Sequence, residues 1–275
     1  MSASSARGTV VRYWKIFDIG LQNTFVYRWN FLLRAVFGIV PLIGTVFLWQ
    51  AIFKPGQGPI NGYDYSSMIF YFMLTVFLDN LITPTEDEWQ IAAEIRDGKI
   101  SAYLTKPLNY LGYRIILYFS YRLLYISVVL APILVLGWFF REHLRFPDDG
   151  ITWLAFGAST VMAAFLQFFI AYSIAMIAFW VLEISTIVFI LYSFEYFLSG
   201  HVFPLDIMPG WLQGFIHWSP FTYELFFPAQ IYMERVKGAA LVEGLAIQAG
   251  WLLVSWVCAR VLWARGVRKY QAFGG

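Results

Sequence analysis

Charge is in short supply in this chain. Asp, Glu, Lys and Arg make up 13% of its 275 residues, against about 25% in ordinary soluble domains, too little to cover a water-soluble globule. Cysteine is nearly absent: Cys258 stands alone, which excludes an intrachain disulfide and a secreted disulfide scaffold. Three scattered histidines, His143, His201 and His217, give no metal-ligand spacing with that one thiol, so metal catalysis is not expected. No Gly-x-x-x-x-Gly-Lys-Ser/Thr loop occurs, and with it goes ATP hydrolysis by that route. Gly-x-Ser-x-Gly and His-Glu-x-x-His are missing too, and no inverted repeat is visible, which weakens an embedded enzyme and a repeat-built secondary transporter. No basic stripe points to nucleic acid. No short apolar core with a small-residue cleavage site precedes the first long apolar run near Phe31, so a cleavable signal peptide is not expected.

What is present is apolar bulk. Hydrophobic residues make up 60% of the chain, with 27 Phe, 17 Tyr and 12 Trp, and the mean hydropathy is +0.63. Trp and Tyr concentrate where hydrocarbon meets headgroups, and the chain reads as an all-α polytopic membrane protein. A helix needs about 20 mostly apolar residues to cross the hydrocarbon core. Six runs approach that length: Phe31 to Phe53, Ser66 to Ile82, Tyr113 to Phe140, Ile151 to Val181, Ser185 to Ser199, and Ala240 to Trp263. Only Glu183 and Ser185 mark the break between the fourth and fifth. Six spans place both termini on one side. With that side inside, twelve of the 19 basic residues fall on inner segments and span edges and five on outer ones, and the positive-inside rule makes the termini cytoplasmic.

Three segments are not spans. From Ala6 to Trp29, Val10, Trp14, Phe17, Leu21 and Phe25 recur at three- and four-residue steps, the pattern of an amphipathic helix lying in the interface. It either makes a contact of its own or only holds the first span in place. Between spans two and three, Thr83 with Glu86, or Thr85 with Glu88, makes a capping box, and Gly98 is placed to end the helix. This short helix has an apolar edge (Trp89, Ala92, Ala93) and an acidic one (Glu86, Asp87, Glu94, Asp97), suited to docking a cytosolic partner or, more plainly, to solvation. The third segment, Ser199 to Gly238, is apolar but interrupted by Pro204, Pro209, Pro220 and Pro228. Proline breaks a spanning helix, so the segment is read as helical pieces re-entering the outer leaflet. It is either a gate, with Pro204, Pro209, Trp211 and Phe215 in the moving part, or a static anchor.

Ionisable groups inside spans are functional candidates. Asp79 lies about one turn from the inner end of span two, and Arg114 and Arg122 share a face of span three, so Asp79 is expected to pair with one of them. Glu195 lies in the outer half of span five beside Tyr192 and Tyr196, with no evident partner. It is expected either to face a translocation path or to hydrogen-bond across a permease contact.

Two strings carry a resemblance. Glu94-Ile-Arg-Asp-Gly-Lys-Ile-Ser-Ala-Tyr-Leu-Thr-Lys-Pro-Leu108 follows span two; Leu198-Ser-Gly-His-Val-Phe-Pro-Leu-Asp-Ile-Met-Pro-Gly-Trp-Leu212 and Ser219-Pro-Phe221 follow span five. With six spans and an interfacial first helix, the chain resembles permease subunits of type-2 ABC exporters over essentially its whole length. The resemblance implies one permease domain over 1–275, divided into an interfacial helix (1–30), spans one and two (31–82), a coupling segment (83–110), spans three to five (111–199), an outer re-entrant segment (200–239), and span six with its tail (240–275). It implies a bacterial cytoplasmic membrane, two copies of an ABC ATPase, and a second permease, identical or a paralogue. No cofactor is expected on this chain; ATP and magnesium are expected on the ATPases, which Glu86, Asp87, Trp89, Glu94, Arg96 and Asp97 are expected to contact. The implied activity is ATP-driven export by alternating access. The rival reading is an ATP-independent channel or carrier.

Overall fold

The computed structural model describes residues 11, 13–22, 28–53, 58–83 and 87–270. Among these residues the structure is helical, with one isolated β-bridge between Ile60 and Tyr63. Its helices are α1 (Arg28–Ile52), α2 (Tyr65–Ile82), α3 (Asp87–Arg96), α4 (Ser101–Leu104), α5 (Tyr110–Phe139), α6 (Gly150–Met176), α7 (Ser185–Leu198), α8 (Gly210–His217), α9 (Phe226–Tyr232) and α10 (Gly238–Lys269), with short 3-10 turns between some of them. The six apolar runs coincide with α1, α2, α5, α6, α7 and α10. The break expected between the fourth and fifth runs is real: α6 ends at Met176, a 3-10 turn covers Ile177–Phe179, and α7 starts at Ser185.

Among the described residues, four helical stretches are long and apolar enough to cross a bilayer: Tyr65–Ile82, Tyr110–Phe139, Gly150–Phe179 and Gly238–Lys269. Val40–Ile52 within α1 and Ser185–Leu198 are shorter apolar helices. At 1.5 Å per residue, the 14 residues of α7 rise about 21 Å, short of the ~30 Å hydrocarbon core.

The chain runs back and forth between two ends of a bundle. At the proximal end, α3 and α4 meet the tail of α10, where the Tyr270 hydroxyl donates to the Gly98 carbonyl (3.0 Å). At the distal end, residues 58–64 meet the segment from His201 to Lys237. The residues of α6 explain its central place: Ala163, Leu166, Phe168, Ala171, Tyr172 and Ala175 are buried, small side chains alternating with rings. The small ones let neighbours approach, as between membrane helices generally. One core cluster joins α2, α6, α9 and α10 distally, around Tyr71, Leu166, Phe227 and Ile231. A second joins α3, α5, α6 and α10 proximally, around Ile91, Tyr118 and Met176. Polar pins cross the bundle. Gln248 of α10, fully buried, accepts from the Ser159 hydroxyl (2.9 Å) and donates to the Tyr223 carbonyl (2.9 Å).

The described part of the first segment, residues 13–22, is helical, as its spacing suggested. The face turned to α5 carries Phe17, whose carbonyl accepts from Ser120 (3.2 Å), and the buried Gly20. Trp14, expected on the apolar face with Phe17, is 70% exposed. Val10 and Phe25 lie outside the described residues.

Candidate functional site

A cavity of about 380 Å³ opens between α1, α2, α6 and α7. Each wall has a local reason to be where it is. Helix α2 ends at Thr83, whose N–H donates to the Asp79 carbonyl (3.0 Å) and whose hydroxyl bonds the Asp79 carboxylate. Thr83 therefore closes α2 rather than opening α3, a correction to one of the two capping-box readings; Thr85 and Glu86, from the two readings, lie outside the described residues. Helix α7 ends where Gly200 takes φ +94°, a region open chiefly to glycine. The Gly200 carbonyl accepts from the Tyr71 hydroxyl (2.7 Å). This turn brings His201 to Asp79 (Nε2 to Oδ1, 3.3 Å).

The three residues expected on the path, Glu195, Tyr192 and Tyr196, all line this cavity, together with Asp79, Gln167 and His201. Glu195 has the partner the sequence did not reveal: Gln167 Nε2 donates to its Oε1 (2.6 Å). Gln167 Oε1 and Glu195 Oε2, both buried, meet no donor among the described residues. Tyr192 lies near enough to Glu88 of α3 to interact with its carboxyl group, so one side chain faces both the cavity and the proximal helix. Behind the wall Glu224 is 2% exposed, and neither of its carboxyl oxygens finds a donor among the described residues.

Neither Arg114 nor Arg122 makes a salt bridge to Asp79 among the described residues, although Arg122 is near enough for its charge to act on Asp79. Arg114 Nη2 lies 2.5 Å from Glu94 of α3, and its Nε donates to the Tyr110 hydroxyl (3.0 Å). Arg122 donates to the Asn80 carbonyl (2.8 Å). Asp79 faces the cavity with His201 and Thr83 instead, because α3 folds back under α5 and offers Arg114 a nearer carboxylate.

That brace changes the reading of α3. Glu94 also accepts from Tyr110 (2.7 Å), so it holds α3 to its own bundle and is not a free docking acid. Ala92 is buried beside Ile174, Ile184 and Val188, so the expected apolar edge is partly internal; Ile91 and Ile95 are the residues that seat α3. Trp89, Arg96 and Asp97 remain exposed, with Lys99 3.2 Å from Asp97. Asp87 opens α3. Gly98, at φ +75°, ends it as its position suggested.

At the distal end Pro209 is the N-cap of α8, whose Trp211 and Phe215 are 81% and 64% exposed, while Pro204 is buried. Next to them is a clamp that the sequence did not reveal. The Arg235 guanidinium lies 3.8 Å over the Tyr63 ring, donates to the Asn61 carbonyl (2.8 Å) and pairs with Asp206 (3.3 Å). Burial raises the Asp206 carboxyl above the usual carboxylate range, with Arg235 opposing. His201, Gln167 and Glu224 could have been found as polar residues inside apolar stretches; the clamp joins residues more than 140 positions apart and leaves no local pattern.

Residues 39–274 match the family model described as ABC-2 family transporter protein. The chain belongs to the ABC-2 family of transporter proteins. No curated protein matches it by sequence. ABC-2 membrane proteins work with ATPase partners, and this ABC-2 protein is thereby a component of an ABC transporter, as the two strings implied. The matched range takes in the cavity, the braced α3 and the Arg235 clamp.

Proposed function

We propose that this chain is the membrane-spanning permease subunit of an ATP-driven exporter in the bacterial cytoplasmic membrane, with both termini cytoplasmic. In this reading α1, α2, α5, α6, α7 and α10 cross the bilayer, and residues 200–237 re-enter from the outside to complete the path that the short α7 leaves unfinished. Two ATPase subunits carry ATP and magnesium; this chain hydrolyses nothing. A second permease, identical or related, covers the outward rings of α7, where Phe189, Phe194 and Phe197 are 73%, 62% and 53% exposed.

The observation that carries the reading is α3. A loop between spans needs no helix fastened to its own bundle by a buried arginine, yet α3 is held by Arg114 and Tyr110 and still leaves Trp89, Arg96 and Asp97 outside. Such a rigid, partly apolar projection suits docking, where a few anchors carry most of the energy. The interaction of Tyr192 with Glu88 then links the docked helix to the cavity wall.

The test is affinity purification of the tagged chain with its membrane complex, followed by ATP-dependent transport in vesicles. An ATPase subunit is expected to copurify. Trp89→Ala with Asp97→Arg is expected to lower its retention at least tenfold while the thermal unfolding midpoint stays unchanged. Purification without any ATPase, or full retention by the double variant, refutes the reading and favours an ATP-independent channel or carrier.

A further inference from the structure

We propose that the cavity between α1, α2, α6 and α7 binds amphiphilic organic cations whose head group is an ammonium carrying N–H donors. This rests on the reading of the cavity as part of the transport path, and it names the substrate class.

The cavity has acceptors to spare, while its threonine hydroxyls are already used: Thr45 and Thr75 donate to the Pro41 and Phe72 carbonyls and Thr83 to the Asp79 carboxylate. Its buried lining holds Glu195 Oε2 and Gln167 Oε1, both without a donor among the described residues, on side chains from residues 7% and 2% exposed. Buried acceptors normally find partners, and an unmet one costs the desolvation of that group. The same lining holds the Asp79 carboxylate, with His201 as the one ring nitrogen beside it, and no Lys or Arg. Arg122, on α5 outside the lining, donates to the Asn80 carbonyl and acts on Asp79 only through its charge, leaving the Glu195 and Gln167 oxygens unmet. Behind the wall, Glu88 and Glu224 add two more buried carboxyl groups.

A ligand that brings both positive charge and N–H donors meets each of these needs; an anion meets none of them, and a neutral alcohol satisfies an acceptor without the charge. Phe72, Tyr192 and Tyr196 supply rings along the same wall, suited to an apolar body and to cation–π contact. About 380 Å³ falls within the range of small-molecule sites.

The test uses the full chain, with whatever subunits copurify, in lipid nanodiscs. The probes are 4-(1-pyrenyl)butylammonium, its trimethylammonium analogue, pyrenebutanol and pyrenebutyrate, each corrected for partition into empty discs. The ammonium is expected to bind at least tenfold tighter than the alcohol and the carboxylate, with the trimethylammonium between. Glu195→Gln with Asp79→Asn is expected to reduce the ammonium preference to less than threefold, with thermal unfolding recorded in parallel. Equal binding of all four probes to the unmodified protein overturns the proposal without need of any variant. So does a preference that survives the double substitution. Quaternary and primary heads binding alike would overturn the donor part. ATPase copurification is scored separately, so a cation site can fail while the exporter reading stands, and the reverse.

Discussion

Two residues show how much a single position holds. Gly200 sits in the left-handed region at φ +94°, and a Cβ there would run into the Tyr71 hydroxyl. Gly200→Ala is therefore expected to cost about 1–3 kcal/mol for the backbone alone, and Tyr71→Phe about 1–3 kcal/mol for the carbonyl left without its donor. Thermal unfolding in detergent measures both; a neutral Gly200→Ala would show that the turn after α7 is not fixed this way. Asp64, at the distal start of α2, is the opposite kind of residue. The Ser67 hydroxyl and N–H hold its carboxyl below the usual carboxylate range. Its contribution is thus full above the ordinary carboxylate pKa and is lost as pH falls through the depressed value. With the side chain 60% exposed, solvent screening limits it to a few tenths of a kcal/mol. The stability difference between wild type and Asp64→Asn is expected to shrink as pH falls below about 4, and a difference independent of pH would contradict the linkage.

At the scale of elements, the apolar runs were legible because a membrane helix announces itself by composition over its whole length. The runs matched α1, α2, α5, α6, α7 and α10 to within three residues at most ends, five at the end of α6 and six at the end of α10, and Gly98 marked the end of α3. What α3 does with its charges was not legible. Its acidic edge looked uniform in sequence, but only the fold decides that Glu94 meets Arg114, twenty positions on, while Asp97 stays at the surface. Asp79 was assigned to an arginine because local helical spacing offers Arg114 and Arg122; its actual neighbour, His201, lies in another part of the chain. The consequence is experimental. Glu94→Gln leaves a guanidinium whose side chain is 2% exposed without its anion, and breaking one partner of such a pair costs about 3–5 kcal/mol. Replacing both, Glu94→Leu with Arg114→Met, is expected to recover most of that loss. If the single and double variants unfold alike, the brace is not what seats α3. A charge reversal at Glu94 is therefore a poor probe of docking, since it would disturb the bundle before it reached a partner.

For the whole molecule, the question is which parts can move relative to one another. The distal segment is pinned at its second half: Thr222 donates to the Ile216 carbonyl (2.7 Å), Gln248 holds the Tyr223 carbonyl, and Phe226 N–H reaches the Ser199 carbonyl (2.9 Å). Residues 222–231 thus belong to the packed unit of α6, α9 and α10. Helix α8 is held at its end, where the Ile216 and His217 carbonyls accept from Thr222 and Tyr223 (2.7 and 3.0 Å), and at Gln213, which donates to the Met208 carbonyl (2.8 Å), while its Trp211 and Phe215 face stays uncovered. If the segment gates an outward opening, the start of α8 around Trp211 is the piece that swings about its bonded end at Ile216 and His217, and the clamp of Arg235 on Tyr63 and Asp206 is the support that stays closed. Because Trp211 and Phe215 are already exposed, gating should read as a change in their protection. Cysteines at these positions, in a Cys258→Ser background because that native thiol is exposed, are expected to change their labelling rate by a membrane-impermeant maleimide at least threefold when ATP is supplied to the assembled transporter. A cysteine at Thr222 is expected to stay unreactive throughout. Equal rates at Trp211 and Phe215 with and without ATP would make α8 a static anchor, and labelling at Thr222 would mean that the whole distal segment, not α8 alone, comes loose.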